Sequence, residues 1–145
     1  MLRSLARPQR TTCLGFLALL AGATAGCGDT GCGNRVVQDV LAPGGRHHAV
    51  VFLRDCGATT DVSTQVSVLP AGRAVSGGGN VFVTDTDHGR APRVLDGGTA
   101  VTVRWVSPQQ LEIAYDLRAR TFRIEHQVGG ITVAYRADST VAVVP

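Results

Sequence analysis

Three groups of side chains in this 145-residue chain have the types and spacing that chemistry needs. The first is Cys56-Gly57-Ala58-Thr59-Thr60-Asp61, with Ser63 just beyond. It gathers a thiol, three hydroxyls and a carboxylate. Thr59, Thr60, Asp61 and Ser63 are therefore candidates for a ligand-binding loop, or for the polar groups of a hydrolase. The second is Asp85-Thr86-Asp87-His88. Its spacing matches the first half of a calcium loop, but the third oxygen ligand and the loop glycine are out of place, so it reads as a solvated loop. The third is Glu112, Asp116 and Glu125, which could pair as the acid and base of a glycosidase. Nothing in the sequence brings two of them to one cleft, and charges on the wet face of a sheet account for them.

Other constellations are weaker. His47 and His48 are neighbours, and neighbours on a strand point to opposite faces, so they make no metal pair. His126 stands alone and reads as structural. No Gly-x-Ser-x-Gly elbow is present: Val75-Ser76-Gly77-Gly78-Gly79 lacks the first glycine. The glycine runs lack the lysine that Walker loops place on phosphates, and the chain has no lysine at all. No catalytic residue, metal ligand or cofactor is assigned from these motifs.

Charge narrows the partners. All 14 basic residues are arginines, and Arg3, Arg7 and Arg10 precede the first acid, Asp29. The remaining 11 arginines face 11 acids. Holding nucleic acid by its phosphates needs a surplus of cations, and outside the first ten residues there is none. The basic pI belongs to a sorting signal.

That signal has a charged head, residues 1–12, and an apolar run, residues 13–23. Eleven residues are too few to span a hydrocarbon core, which takes about 20. The pattern is that of a secretory signal peptide. Its end can be read two ways. Ala23-Thr24-Ala25 is an A-x-A cleavage site. Thr24-Ala25-Gly26-Cys27 resembles the lipobox of bacterial lipoproteins, with Thr24 where leucine is usual. Outside the leader lie Cys27, Cys32 and Cys56. An exported protein rarely leaves one thiol spare, so lipidation of Cys27 is favoured: it leaves Cys32 and Cys56 as a pair. A reactive thiolate at Cys56 beside Arg54 is the alternative to that bridge; an oxidising compartment favours the bridge. The expected organisation is a lipoprotein signal peptide at 1–26, a lipid-anchored tether at 27–31 and a single domain at 32–145. At about 3.5 Å per residue the tether holds the fold within about 18 Å of the bilayer. Gly28 is not the aspartate that retains some lipoproteins at the inner membrane, so the outer membrane, facing the periplasm, is the default.

The elements that must position these groups are strands. Few stretches have helical periodicity, and β-branched alternating runs are punctuated by Gly, Pro, Asp and Asn. Strands are expected near 35–41, 48–54, 62–69, 80–84, 100–106, 110–116, 121–127 and 130–136, with a short one at 140–144. Residues 48–53 are apolar on both alternating faces and belong at a centre covered on both sides. Residues 62–69, 101–105 and 111–115 alternate, as in antiparallel sheets with one wet face. Ala42-Pro43-Gly44-Gly45 and Ser107-Pro108-Gln109-Gln110 are matching turns with proline at the first inner position. The expected fold is all-β: one antiparallel domain, a meander or small sandwich of two hairpin-based halves. Residues 71–79 read as a flexible joint between them, and 85–98 as a second long loop. Phe52, Val66, Val68, Phe82, Val103, Trp105, Leu111, Ile113 and Val133 are the expected core. Thr59, Thr60 and Asp61 are expected to satisfy the backbone of the turn after Gly57 with their own side chains.

Cys32-Gly33-Asn34, the Pro43-Gly44-Gly45 turn, residues 49–60 with Cys56-Gly57-Ala58-Thr59-Thr60, and Gly79-Asn80-Val81-Phe82-Val83 together resemble a family of small exported bacterial proteins and lipoproteins with a Cys-Gly-Ala-Thr-Thr core motif. The resemblance covers residues 32–83 well and 101–135 only in pattern. That family is of uncharacterised function, so the resemblance implies export and the disulfide but no activity. The expectation for function is a membrane-anchored envelope module, binding or structural and non-catalytic, whose partners are the membrane through its lipid and another envelope protein. A small inhibitor or immunity-like protein, or a hydrolase using the 59–63 loop, are the alternatives. Lipidation is directly testable: wild-type protein should partition into the detergent phase, and Cys27→Ser should release it or block its maturation. A detergent-insensitive, soluble wild-type protein beginning at Gly26 would refute the anchor.

Overall fold

The computed structural model describes residues 31–141. The leader, Cys27 and the tether up to Thr30 lie outside the described residues, as do positions 142–144 of the expected last strand; Thr140 is in a turn.

Nine strands and no helix make up the described chain: β1 Gly33–Leu41, β2 His47–Asp55, β3 Ser63–Pro70, β4 Phe82–Asp85, β5 Val101–Ser107, β6 Gln110–Asp116, β7 Arg120–Ile124, β8 Gln127–Val128 and β9 Ile131–Asp138. They form two sheets, ordered β1-β2-β3-β4-β7 and β5-β6-β9-β8. The all-β single domain expected from the alternating runs is what forms. One pairing differs from a purely antiparallel plan: β6 and β9 run parallel. Parallel neighbours need a crossover, and the chain makes one by leaving the second sheet as β7, which joins the first beside β4. The second hairpin-based half therefore gives one strand, β7, to the first sheet.

The turns follow their residues. In Ala42-Pro43-Gly44-Gly45 the Gly45 amide donates to the Ala42 carbonyl, and Gly44 has φ +88°, the left-handed value that a type II turn requires after proline. This turn joins β1 to β2 with register Leu41 to His48.

The core lies between the sheets. Ala49, Val51, Val66, Val68, Val81 and Phe82 from the first meet Val101, Val103, Leu111, Ile113, Ile131 and Val133 from the second. Phe82 anchors it, its ring centroid 4.9 Å from that of Tyr115 and 5.5 Å from that of Tyr135. The Tyr135 hydroxyl donates toward the Val81 carbonyl (3.0 Å) and the Glu125 carbonyl (2.8 Å), tying β9 to the other sheet. Eight of the nine expected core residues are buried. Trp105 is the exception: it is half-buried, because its indole N–H needs an acceptor and finds one at the core margin, the Val40 carbonyl of edge strand β1, at 2.9 Å.

β2 is covered twice, as its two apolar faces require. Ala49 and Val51 face the second sheet; Val50 and Phe52 face the other way and are equally buried. Their cover is the segment 71–80, and here the expectation of a flexible joint is corrected. The segment is a strap fastened by side chains of the outer face. Gly77 O accepts from Asn34 Nδ2 (2.8 Å) and Arg54 Nη1 (3.0 Å), and the Gly79 amide donates to Gln65 Oε1. The Asn80 amide donates to Ser67 Oγ, while the Asn80 side chain bonds both backbone groups of Val68. His48 sits between Asp39 Oδ1 (2.7 Å from Nδ1) and the Arg73 carbonyl (3.1 Å from Nε2). A Cβ at Gly79 would lie 2.7 Å from the Phe82 carbonyl, so the strap closes only with glycine there.

Burial pushes the Tyr135 phenol up to about 12. The neutral phenol is the form the fold favours, so its contribution is complete below about pH 10, the ordinary tyrosine value, and is lost as pH rises towards 12. Absorbance at 295 nm should show one tyrosine titrating near 12, accompanied by loss of near-ultraviolet circular dichroism. Tyr135→Phe should abolish that late step. Phe82→Ala should cost about 3–5 kcal/mol by leaving a cavity at the sheet interface, read from denaturant unfolding.

Candidate functional site

Cys32, one residue before β1, and Cys56, one residue after β2, are disulfide-bonded. β1 and β2 pair from Leu41–His48 to Gly33–Asp55, which brings the two cysteines level. The bridge thus fixes the root of the loop that leaves β2. Gly57 then turns with φ +99°, and its amide donates to Asp55 Oδ1 at 2.9 Å.

The three residues expected to satisfy this turn divide. Thr60 does so: its amide and its hydroxyl both donate to the Gly57 carbonyl, at 3.1 and 3.2 Å. Thr59 does not; its side chain is exposed and makes no hydrogen bond among the described residues. Asp61 does not either, because its carboxylate is drawn to Arg93 (3.1 Å) on the long β4–β5 loop. That loop packs closely. A Cβ on Gly98 would stand 2.3 Å from Thr64 Oγ1 and 2.5 Å from Leu53 Cδ2, so only glycine lets it lie on β2 and β3. Thr64 Oγ1 in turn donates to the Thr99 carbonyl and accepts from the Thr99 amide.

The loop forms one wall of a cleft of about 530 Å³ on the outer face of the first sheet. Thr59, Thr60, Asp61 and Ser63 stand on one side; Val83 and Asp85 of β4 form the floor; His88, Arg120 and Phe122 close the rest. Two groups noted separately in the sequence, the 59–63 loop and the 85–88 loop, therefore meet in one site. Arg120 and Phe122 were not legible as site residues. Alternation along 120–124 puts Phe122 on the face of Ile124, which pairs with core residue Phe82. In the fold Thr121 pairs with Thr84 and Arg123 with Val83, so Phe122 is the extra residue of a β-bulge and is turned out to the cleft.

The charges in the cleft are matched. Arg120 pairs with buried Asp85 and lies 4.0 Å from Asp87 Oδ1, while its guanidinium covers the Phe122 ring at 4.9 Å. The hydrogen bond that Arg120 donates to Asp85, helped by the charges of Asp85, Asp87 and Asp61, pushes the Arg120 guanidinium up, so it stays a cation. Asp87 also pairs with Arg90 at 3.3 Å. Ser63 Oγ donates to the Arg54 carbonyl and accepts from Gln65 Nε2, which binds it into the sheet. The His88 ring makes no hydrogen bond among the described residues and lines the cleft.

The other candidates stay apart. Among the described residues no three His, Cys, Asp or Glu side chains converge on a metal position. His126 packs edge-on against Tyr135. Glu112 is held by Arg104 and Asp116 by Arg118, whose hydrogen bond keeps the Asp116 carboxyl below the ordinary range. Four residues along one strand separate them by roughly 13 Å, beyond the ~6.5–9.5 Å of an inverting carboxylate pair. Comparison with known proteins adds nothing to this geometry: no family model, curated protein or solved structure matches the chain.

Structural and available groups in the loop can be separated by substitution. Removing the bridge with Cys32→Ser and Cys56→Ser should cost about 3.5 kcal/mol on the chain-entropy relation for a loop of this length. Thr60→Val should cost about 1 kcal/mol, and Thr59→Val should stay within about 0.5 kcal/mol of wild type. Equal losses at the two threonines, measured by chemical denaturation, would contradict the division.

Proposed function

We propose that this protein is an exported, lipid-anchored module of the bacterial cell envelope that binds a ligand without transforming it, at the cleft beside the 59–63 loop. The observation that carries the reading is the state of the cleft's polar groups. Apart from the Thr59 hydroxyl, its hydroxyls and carboxylates are committed to rigid partners: Thr60 to Gly57, Ser63 to Arg54 and Gln65, Asp61 to Arg93 and Asp85 to Arg120. A nucleophile needs a neighbouring base within hydrogen-bond reach, and His88 makes no bond to Ser63, Thr59 or Thr60. Fixed donors and acceptors on a disulfide-rooted loop are what recognition requires. The leader, Cys27 and the balanced charge outside the leader support placement at a membrane rather than on nucleic acid.

The test is crosslinking in cells from defined positions. A photoreactive side chain at Thr59 should trap an envelope component, and the same group at Arg104, on the outer face of the second sheet, should not. Trapping from both positions alike, or from Arg104 alone, would remove the cleft from the function.

A further inference from the structure

The composition of the cleft specifies the kind of ligand, on the premise that the cleft is a binding site. We infer that it takes a neutral, polyhydroxylated ring compound: a sugar unit of a glycan, stacked on Phe122 and hydrogen-bonded by the 59–63 loop and His88.

Charge decides against the ionic alternatives. An anionic ligand needs a cation with spare charge, but Arg120 is already shared between Asp85 and Asp87, and Arg93 is bound to Asp61. A cationic ligand needs an uncompensated carboxylate, and Asp61, Asp85 and Asp87 each face an arginine. An ion of either sign would have to break a pair to enter. A neutral hydroxyl need not. A paired carboxylate still has lone pairs to accept from an O–H, and a paired guanidinium still has N–H groups to donate. Ion pairs held in place thus present donors and acceptors side by side, the pattern that two neighbouring hydroxyls on one ring match.

Three further features fit the same ligand. Phe122 is 60% exposed although it is a large apolar side chain, and the bulge in β7 is what turns it out. One face of a pyranose is a layer of C–H groups, and the face of the Phe122 ring that the Arg120 guanidinium does not cover is its natural platform. Thr59 and His88 carry polar atoms without partners among the described residues, and both line the cleft. The volume, about 530 Å³, lies within the roughly 300–1,000 Å³ of small-molecule sites. The mixed, half-apolar lining argues against a purely lipidic occupant, whose chains offer nothing to the paired ions.

The full-length protein, detergent-solubilised, should be titrated with neutral trisaccharides of glucose, N-acetylglucosamine, mannose and galactose, and in parallel with inorganic phosphate and with spermidine. Binding is read by amide shifts in two-dimensional nuclear magnetic resonance. At least one trisaccharide should shift residues 58–63 and 120–123 saturably. Phe122→Ala should weaken it by about tenfold or more, in line with loss of one aromatic contact. Phe122→Trp should retain it, and Thr59→Val should weaken it without unfolding the domain. If no trisaccharide binds, or if the binding ignores Phe122→Ala, the sugar assignment is overturned. If phosphate or spermidine shifts residues 58–63 while the sugars do not, the sugar assignment falls and the binding reading of the cleft stands. If the Thr59 crosslinker in cells also traps nothing, both fall.

Discussion

A strand that is apolar on both faces has to be covered twice, and β2 sets that demand. One cover is a sheet, which satisfies its own backbone. The other is ten residues of irregular chain, and irregular chain brings peptide groups that a sheet face cannot pair. The outer face answers with polar side chains placed among its apolar ones. Arg54 and Asn34 take the Gly77 carbonyl, Gln65 takes the Gly79 amide, and Ser67 takes that of Asn80. Buried His48, Arg54, Gln65 and Ser67 on β2 and β3 therefore need no functional explanation; they fasten the strap. Val50 and Phe52 beneath it supply the apolar gain that offsets ordering a glycine-rich segment.

The cover also decides where a site can be. Among the described residues the strap's hydrogen bonds reach β1, β2, β3 and the turn before β2, and none reaches β4 or β7. Beyond it the outer face continues across β4 and β7, and its residues change character from Val50 and Phe52 to Ser63, Asp85 and Arg120. A sheet face that is left open must be wettable, and ion-paired polar residues make it so. The cleft occupies this uncovered end. The disulfide-rooted loop walls one side, and the β4–β5 loop, drawn in by the Arg93–Asp61 pair and by the close packing of Gly98, walls another.

Much of this was legible in the sequence because it is local. Alternation located all eight main strands, since the side-chain period of a strand is written residue by residue, and the cysteine count paired Cys32 with Cys56. What could not be read is what depends on partners distant in the chain. The parallel pairing of β6 with β9 follows from β7 leaving for the other sheet, and nothing within 120–124 announces that. Residues 71–79 look like a linker because glycine and alanine dominate them; their order comes from Asn34, Arg54 and Gln65, none of them adjacent. Trp105 carries a large apolar ring and one N–H, and the second drew it to the core margin. Among the site residues, the 59–63 and 85–88 loops were visible singly. Their meeting needed the β3–β4 pairing, and Arg120 and Phe122 needed the bulge.

The backbone at His88 bears on the same question from another direction. Asp87 and His88 have φ of +48° and +58°, two consecutive non-glycine residues in the left-handed region, with Gly89 following at +89°. Each such residue costs of order 1–2 kcal/mol. The surroundings hold them there: Asp85 Oδ1 accepts from the Asp87 amide, and the Thr86 carbonyl accepts from the amides of Gly89 and Ala91. Aspartate and histidine are among the side chains that tolerate this conformation best, but glycine would remove the cost at either position. The loop carries side chains where its backbone alone would favour none. Asp87 accounts for its own presence by pairing with Arg90 and standing near Arg120. His88 has no such partner among the described residues, and the strained turn leaves its ring on the wall of the cleft. The surrounding hydrogen bonds explain how the strained turn is held; they do not explain why an imidazole stands at its apex.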